Sequence, residues 1–152
     1  MLDKANWAHL IPHQGDMCLL ERVVAFDDDA LQARSATHRS IDNPLRGPDG
    51  LRALHLCEYG AQAMALHGGL LARRDGGRAA PGLLVSLRDV HLFQNMIDSL
   101  PGEIDVHAWR LLDAGNSWQY EFRIEHAGRS IATGRAAVML GGLPGTLISV
   151  GS

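Results

Sequence analysis

Residues 51–74, LRALHLCEYGAQAMALHGGLLARR, decide the architecture. Leucine, alanine, methionine, histidine and glutamine dominate the stretch, β-branched residues are absent, and Arg73 and Arg74 precede Gly76 and Gly77. Unbranched side chains keep rotamer freedom in a helix, cations complement its negative end, and glycine terminates it. The spacing therefore predicts one long helix from Leu51 to about Arg73. Apolar residues cover most of its circumference, so it must be wrapped rather than laid on a surface.

The flanking sequence supplies the wrapping. MCLLERVVAFDDD (17–29) is an apolar run ending in three acids, and ALQARSAT (30–37) alternates, so the two read as a hairpin turning at the aspartates. HRSIDNPLRGPDG (38–50), with two prolines and two glycines, is a loop. After the helix come GLLVSLRDVHLF (82–93), GEIDVHAWRLL (102–112), SWQYEFRIEHA (117–127) and RSIATGRAAVML (129–140), separated by turn residues. Ile104, Val106 and Ala108, then Trp118, Tyr120, Phe122 and Ile124, alternate as half-buried antiparallel strands do. Two strands, one buried helix and four strands predict an α+β hot-dog fold, a curved antiparallel sheet of about six strands around a central helix.

The chain has 152 residues, 46% of them hydrophobic, enough to fill one core without metal or disulfide staples. Residues 1–152 are expected to form a single domain, with 1–16 as an N-terminal entry segment and 141–152 as a C-terminal tail. A net charge of -3 with dispersed arginines disfavours nucleic acid as a partner. Cys18 and Cys57 have no paired spacing and no secretion-like start accompanies them, so both are expected to be reduced in a cytoplasmic protein. The long apolar window invites a membrane reading, but Glu58, Gln62, His55, His67 and three glycines argue against insertion.

Glu58 is the one charge between Ala53 and Ala72. On a helix His55, Glu58 and Gln62 follow i, i+3, i+7 and share a stripe. A buried carboxylate must be paired, protonated or useful, and one whose pKa is raised by an apolar site suits general acid or base work. The competing structural reading is a solvated or arginine-paired glutamate, with Arg52 or Arg88 as partner. No His or Cys spacing matches a metal site, and no nucleophile elbow or phosphate loop is present.

The motifs together resemble a known family. LIPHQGDMCLLERVV (10–24) is similar to the N-terminal motif of bacterial 3-hydroxyacyl-acyl-carrier-protein dehydratases, and CEYGAQAMALHGGLLA (57–72) resembles their ApeP-like subgroup, associated with aryl polyene pathways. The similarity extends to GLLVSLRDVHL (82–92), Leu100-Pro101-Gly102 and GRAAVML (134–140). The resemblance implies a hot-dog homodimer with sites between protomers, in which a histidine of one chain and a helix acid of the other remove water from a 3-hydroxyacyl thioester to give a trans-2-enoyl thioester. No cofactor is implied beyond the phosphopantetheine of an acyl carrier protein that carries the substrate. Backbone N–H groups at the helix start, around Leu51, Arg52 and Ala53, would polarise the thioester carbonyl.

Carried over by position, Glu58 matches the helix acid and Gln62 the amide one turn later. The family histidine falls at Asn43, before Pro44, and Arg52 stands where the family has proline before the helix. Asparagine has no proton-accepting nitrogen. His38 and His55 are candidate replacement bases, whereas His13, after Pro12, is expected to pin the entry segment. Two further readings remain open: a hot-dog thioesterase using Glu58 with Gln62 and Asn43, and a non-catalytic subunit that binds acyl thioester or carrier protein. Trp109, Trp118, Met96 and Phe93 are candidate walls of an acyl tunnel.

Overall fold

The helix forms where the composition places it. In the computed structural model, which describes residues 1–11, 13–77 and 82–140, a short turn of 3-10 helix at Ala53–His55 leads directly into α1, Leu56–Arg74. Arg73 and Arg74 occupy the last turn, and Gly76 follows with a φ of 82°. The expected tail, 141–152, lies outside the described residues.

Around the helix stand β1 (Leu2–Asp3), β2 (Arg22–Phe26), β3 (Ala30–Ser35), β4 (Gly82–Leu92), β5 (Ile104–Asp113), β6 (Ser117–His126) and β7 (Arg129–Leu140). They make one antiparallel sheet in the order β1-β2-β3-β5-β6-β7-β4. This is the hot-dog arrangement. The two-residue β1 is a strand too short for alternation to reveal, and it adds an edge beyond β2. The acidic turn between β2 and β3 is held by Asp27, whose Oδ1 accepts the N–H groups of Asp29 (2.9 Å) and Ala30 (2.8 Å).

Phe122 on β6 packs tightly between the helix and the neighbouring strand. A Cβ added to Gly60 of α1 would lie 2.6 Å from Phe122 Cγ, and one added to Gly134 of β7 would lie 2.5 Å from Phe122 Cζ. The fully buried ring thus fills a slot that exists only because both neighbours lack side chains. Farther along α1, His67 donates from Nε2 to the Asp27 carbonyl (2.8 Å) and accepts at Nδ1 from the Tyr120 hydroxyl (2.7 Å). Burial lowers the His67 pKa and raises that of Tyr120, so both stay neutral in this bond.

One strip of α1 is left uncovered. Glu58 and Ala65 are exposed and Cys57, Ala61, Gly68 and Ala72 half-buried, whereas the other residues from Leu56 to Leu71 are buried. At the end of the sheet, β4 leaves one edge unpaired among the described strands, and Val85, Leu87 and Leu92 on it are exposed, as is Phe93 just beyond.

Substitution Gly60→Ala should destabilise the protein by about 1–3 kcal/mol through overpacking against Phe122. Urea denaturation should report this, with Ala61→Gly as a comparison site that meets no such ring.

Candidate active site

Glu58 lies in the first turn of α1 at the head of the open strip. Among the described residues its carboxylate has no ion pair and no hydrogen bond. It is exposed, as the solvated reading has it, and not a buried acid. Apolar neighbours in the chain do not surround a residue on a helix, because consecutive positions point about 100° apart. Cys57 and Tyr59 therefore face other directions. His55, half-buried at the helix start, does not cap α1 with its side chain.

Gln62, one turn on, is fully buried and acts as a clamp. Its Oε1 accepts the Leu19 N–H (2.8 Å) and its Nε2 donates to the Met17 carbonyl (2.6 Å). Both of its polar ends are occupied by backbone, so the amide fixes the segment before β2 to the helix. The same segment is seated farther along α1, where Leu10 Cβ would lie 3.0 Å from a Cβ added to Gly69. Leu10 and the Met17–Leu19 backbone thus lie beside the face of the helix that carries Gln62 and Gly69.

Asn43 and His38 are engaged elsewhere. Asn43 is buried, and its Nδ2 donates to the Thr37 carbonyl (2.9 Å) and the Tyr59 hydroxyl (3.1 Å), while its Oδ1 accepts the Leu45 N–H (2.9 Å). Tyr59 in turn meets Thr37 Oγ1 (2.8 Å), which bonds the Leu19 carbonyl (2.7 Å). Position 43 therefore bonds to the inward-facing Tyr59, on a different side of the helix from Glu58. His38, expected on a mobile loop, is fully buried, and its Nε2 bonds the Leu100 carbonyl at 2.9 Å. Its pKa is lowered by burial.

At the helix start the backbone donors are also engaged. The Leu51 N–H bonds Asp98 Oδ1 (3.1 Å), and the Ala53 N–H bonds the Asn95 carbonyl (2.8 Å). The Leu51 contact helps hold Asp98 below the usual carboxylate range. Arg52 is exposed and pairs across an isolated bridge with Met96. Of the expected tunnel walls, Trp109 stacks on His107 with ring centroids 5.5 Å apart, Trp118 donates to Asp113 (2.9 Å) beneath Arg110, and Phe93 is exposed.

His13 lies between Leu10 and Met17 in the chain. It is half-buried, its Nδ1 is sealed from water without a hydrogen-bond partner, and burial lowers its pKa while the negative charge of Glu58 acts in the opposite sense.

With this geometry in view, the sequence matches the ApeP-like family, described as ApeP dehydratase, over residues 5–142. The chain belongs to that family. The dehydratase heterocomplex ApeI:P from Xenorhabdus doucetiae is similar in structure, with a TM-score of 0.79, 23% identity, and coverage of 90% of this chain and 91% of that one. A thioesterase from Staphylococcus aureus aligns with a TM-score of 0.61 and 14% identity over 80% of this chain and 93% of its own. One from Pseudomonas aeruginosa aligns at 0.60 and 15%, covering 80% and 81% respectively. At these identities the likeness is one of fold. No curated protein matches the chain. No helix among the described residues is long and apolar enough to cross a membrane.

Replacing Asn43 with His removes three hydrogen bonds of a buried amide and leaves the Tyr59 and Thr37 groups to find new partners. We expect a loss of about 2–4 kcal/mol in denaturant unfolding.

Proposed function

We propose that this ApeP-like protein is a 3-hydroxyacyl thioester dehydratase, working on substrates carried by the phosphopantetheine arm of an acyl carrier protein. The observation that carries the reading is Glu58: an exposed, unpaired carboxylate in the first turn of the central helix, at the position of the family's helix acid. A carboxyl there stands beside the positive end of the α1 dipole and opens onto the uncovered alanine strip. The elimination breaks the C2–H and C3–O bonds of the acyl chain and forms the C2=C3 double bond. It needs a proton acceptor near C2 and a proton for the departing oxygen, and it consumes no cofactor. Gln62 is assigned to positioning, since both of its ends hold backbone.

The pure protein, incubated with 3-hydroxybutyryl-N-acetylcysteamine and followed by mass spectrometry, should convert substrate to a product 18 Da lighter. Glu58→Gln should lower that rate at least about 100-fold, the usual scale for a proton-transfer group. Release of free acid instead would favour thioester hydrolysis, a reading supported by the same unpaired carboxylate. Binding without turnover would favour a carrier subunit.

The uncovered strip and the open β4 edge support assembly with a second hot-dog chain. An unpaired edge bearing exposed Val85, Leu87 and Leu92 is a template for strand pairing. A second copy laid along β4 would extend the sheet and bring its own helix toward Ala61 and Ala65. Native mass spectrometry should give twice the 16.5 kDa chain mass, and Leu87→Lys should return the protein to single chains. A wild-type protein found only as single chains would point to a different hot-dog partner, as the heterocomplex of the Xenorhabdus relative suggests.

A further inference from the structure

The dehydratase reading puts the reacting carbons at Glu58, and the register of the sheet against the helix shows where the rest of an acyl chain can lie. Gly60, just past Glu58, faces the Phe122 ring and, through it, Gly134 of β7. Farther along, a Cβ added to Gly68 would lie 3.3 Å from the Trp118 indole. The two spacings agree. From Gly60 to Gly68 the helix advances about 12 Å, and from Phe122 back to Trp118 the strand advances about 13 Å. α1 and β6 therefore run antiparallel over this stretch, from the Phe122 row of the sheet to the Trp118 row.

Between those rows an apolar groove follows the helix. Glu58, Ala61, Ala65 and Gly68 are spaced i, i+3, i+7, i+10 and share one face of α1. On the sheet, Leu87 pairs with Ala136 in the row of Tyr120, whose hydroxyl bonds His67 of the helix, so side chains of that row face α1. Leu84 pairs with Val138 in the row of Trp118 and faces the same way. Ala65 and Leu87 are exposed, and Ala61, Leu84 and Val138 are half-buried. The groove begins at the carboxylate and opens on the side where a second chain laid along β4 would roof it.

Trp118 closes the far end. Its Nε1 donates to Asp113 (2.9 Å), Arg110 Cζ lies 4.5 Å from the ring centroid, and only a residue without a side chain at position 68 admits the ring. These ties make it a fixed aromatic wall. We propose that Trp118 is a specificity-determining residue that sets the upper length of the acyl chain. The proposal rests on the dehydratase reading. With C2 and C3 at Glu58, the chain runs past Ala61 and Ala65 toward Gly68, a helical span of about 15 Å that accommodates an extended chain of roughly a dozen carbons. The substrate class is thus a short- or medium-chain 3-hydroxyacyl thioester, and a longer chain meets the indole.

The full-length protein, given N-acetylcysteamine thioesters of 3-hydroxybutyrate, 3-hydroxyoctanoate and 3-hydroxyhexadecanoate and followed by mass spectrometry, tests this. Wild type should use the sixteen-carbon substrate at least about 10-fold less efficiently in kcat/KM than the eight-carbon one, and Trp118→Ala should raise that ratio at least about 10-fold. Loss of stability alone would lower both rates together and leave the ratio unmoved. Ala65→Leu, on the exposed side of the helix, fills the groove without entering the core. It should lower the eight-carbon kcat/KM relative to the four-carbon one by at least about 10-fold. A wild type that dehydrates the eight- and sixteen-carbon substrates equally well overturns the assignment and leaves the dehydratase reading standing. So does either variant if its ratio stays within about twofold of wild type. A wild type that dehydrates none of the three overturns both.

Discussion

The seat of Phe122 between two glycines sets the distance at which the sheet can wrap the helix. With Gly60 on one side and Gly134 on the other, the ring brings α1, β6 and β7 to a separation that no Cβ would permit. Everything else in the core is arranged around that approach. Leu56, Leu66 and Leu70 of the helix are fully or almost fully buried, as are Ile104, Val106, Tyr120 and Ile124 of the strands. The helix can be apolar nearly all round because the sheet reaches nearly all round it. The side where the sheet stops is the side on which Glu58 stands.

Buried polar groups then decide which residues are available for chemistry. A buried donor or acceptor without a partner costs about 1–3 kcal/mol, so the fold consumes most of its polar side chains in satisfying backbone and one another. Gln62 ties the N-terminal segment to the helix, Asn43 ties the loop to Tyr59, and His67 ties the helix to the acidic turn. Each has its polar ends occupied, and each is thereby withdrawn from reaction. On the uncovered strip Glu58, unpaired and exposed, is what this leaves over, and among the described residues the buried atoms without a partner are His13 Nδ1, His38 Nδ1 and Ser130 Oγ.

Periodicity made the scaffold legible. The absence of β-branched residues from Leu51 to Arg73 and the alternation from Ile104 to Ala108 and from Trp118 to Ile124 are local signals. Their elements formed within a few residues of the expected bounds. The two residues of β1 carry no period to detect. Exposure at Glu58 was one of two open readings that the sequence could not decide, because burial is a property of helix faces and the apolar run was read along the chain. Asn43 was legible as a missing base but not as a hydrogen-bond hub, since Tyr59 lies 16 residues away. His13 was read as a structural pin. The pin is in fact Gln62, whose partners are 43 and 45 residues distant in sequence.

The geometry of a single helical turn links these points. Tyr59 follows Glu58 directly, so the two side chains diverge by about 100°, and whatever bonds the tyrosine hydroxyl is directed away from the carboxylate. Gln62 follows Glu58 by four residues, so whatever the amide holds comes to rest on the carboxylate's own face. Asn43 belongs to the first group, and the Leu10–Leu19 segment to the second. A histidine at position 43 would therefore have to give up the Tyr59 network and leave its pocket before it could approach Glu58 within the same chain.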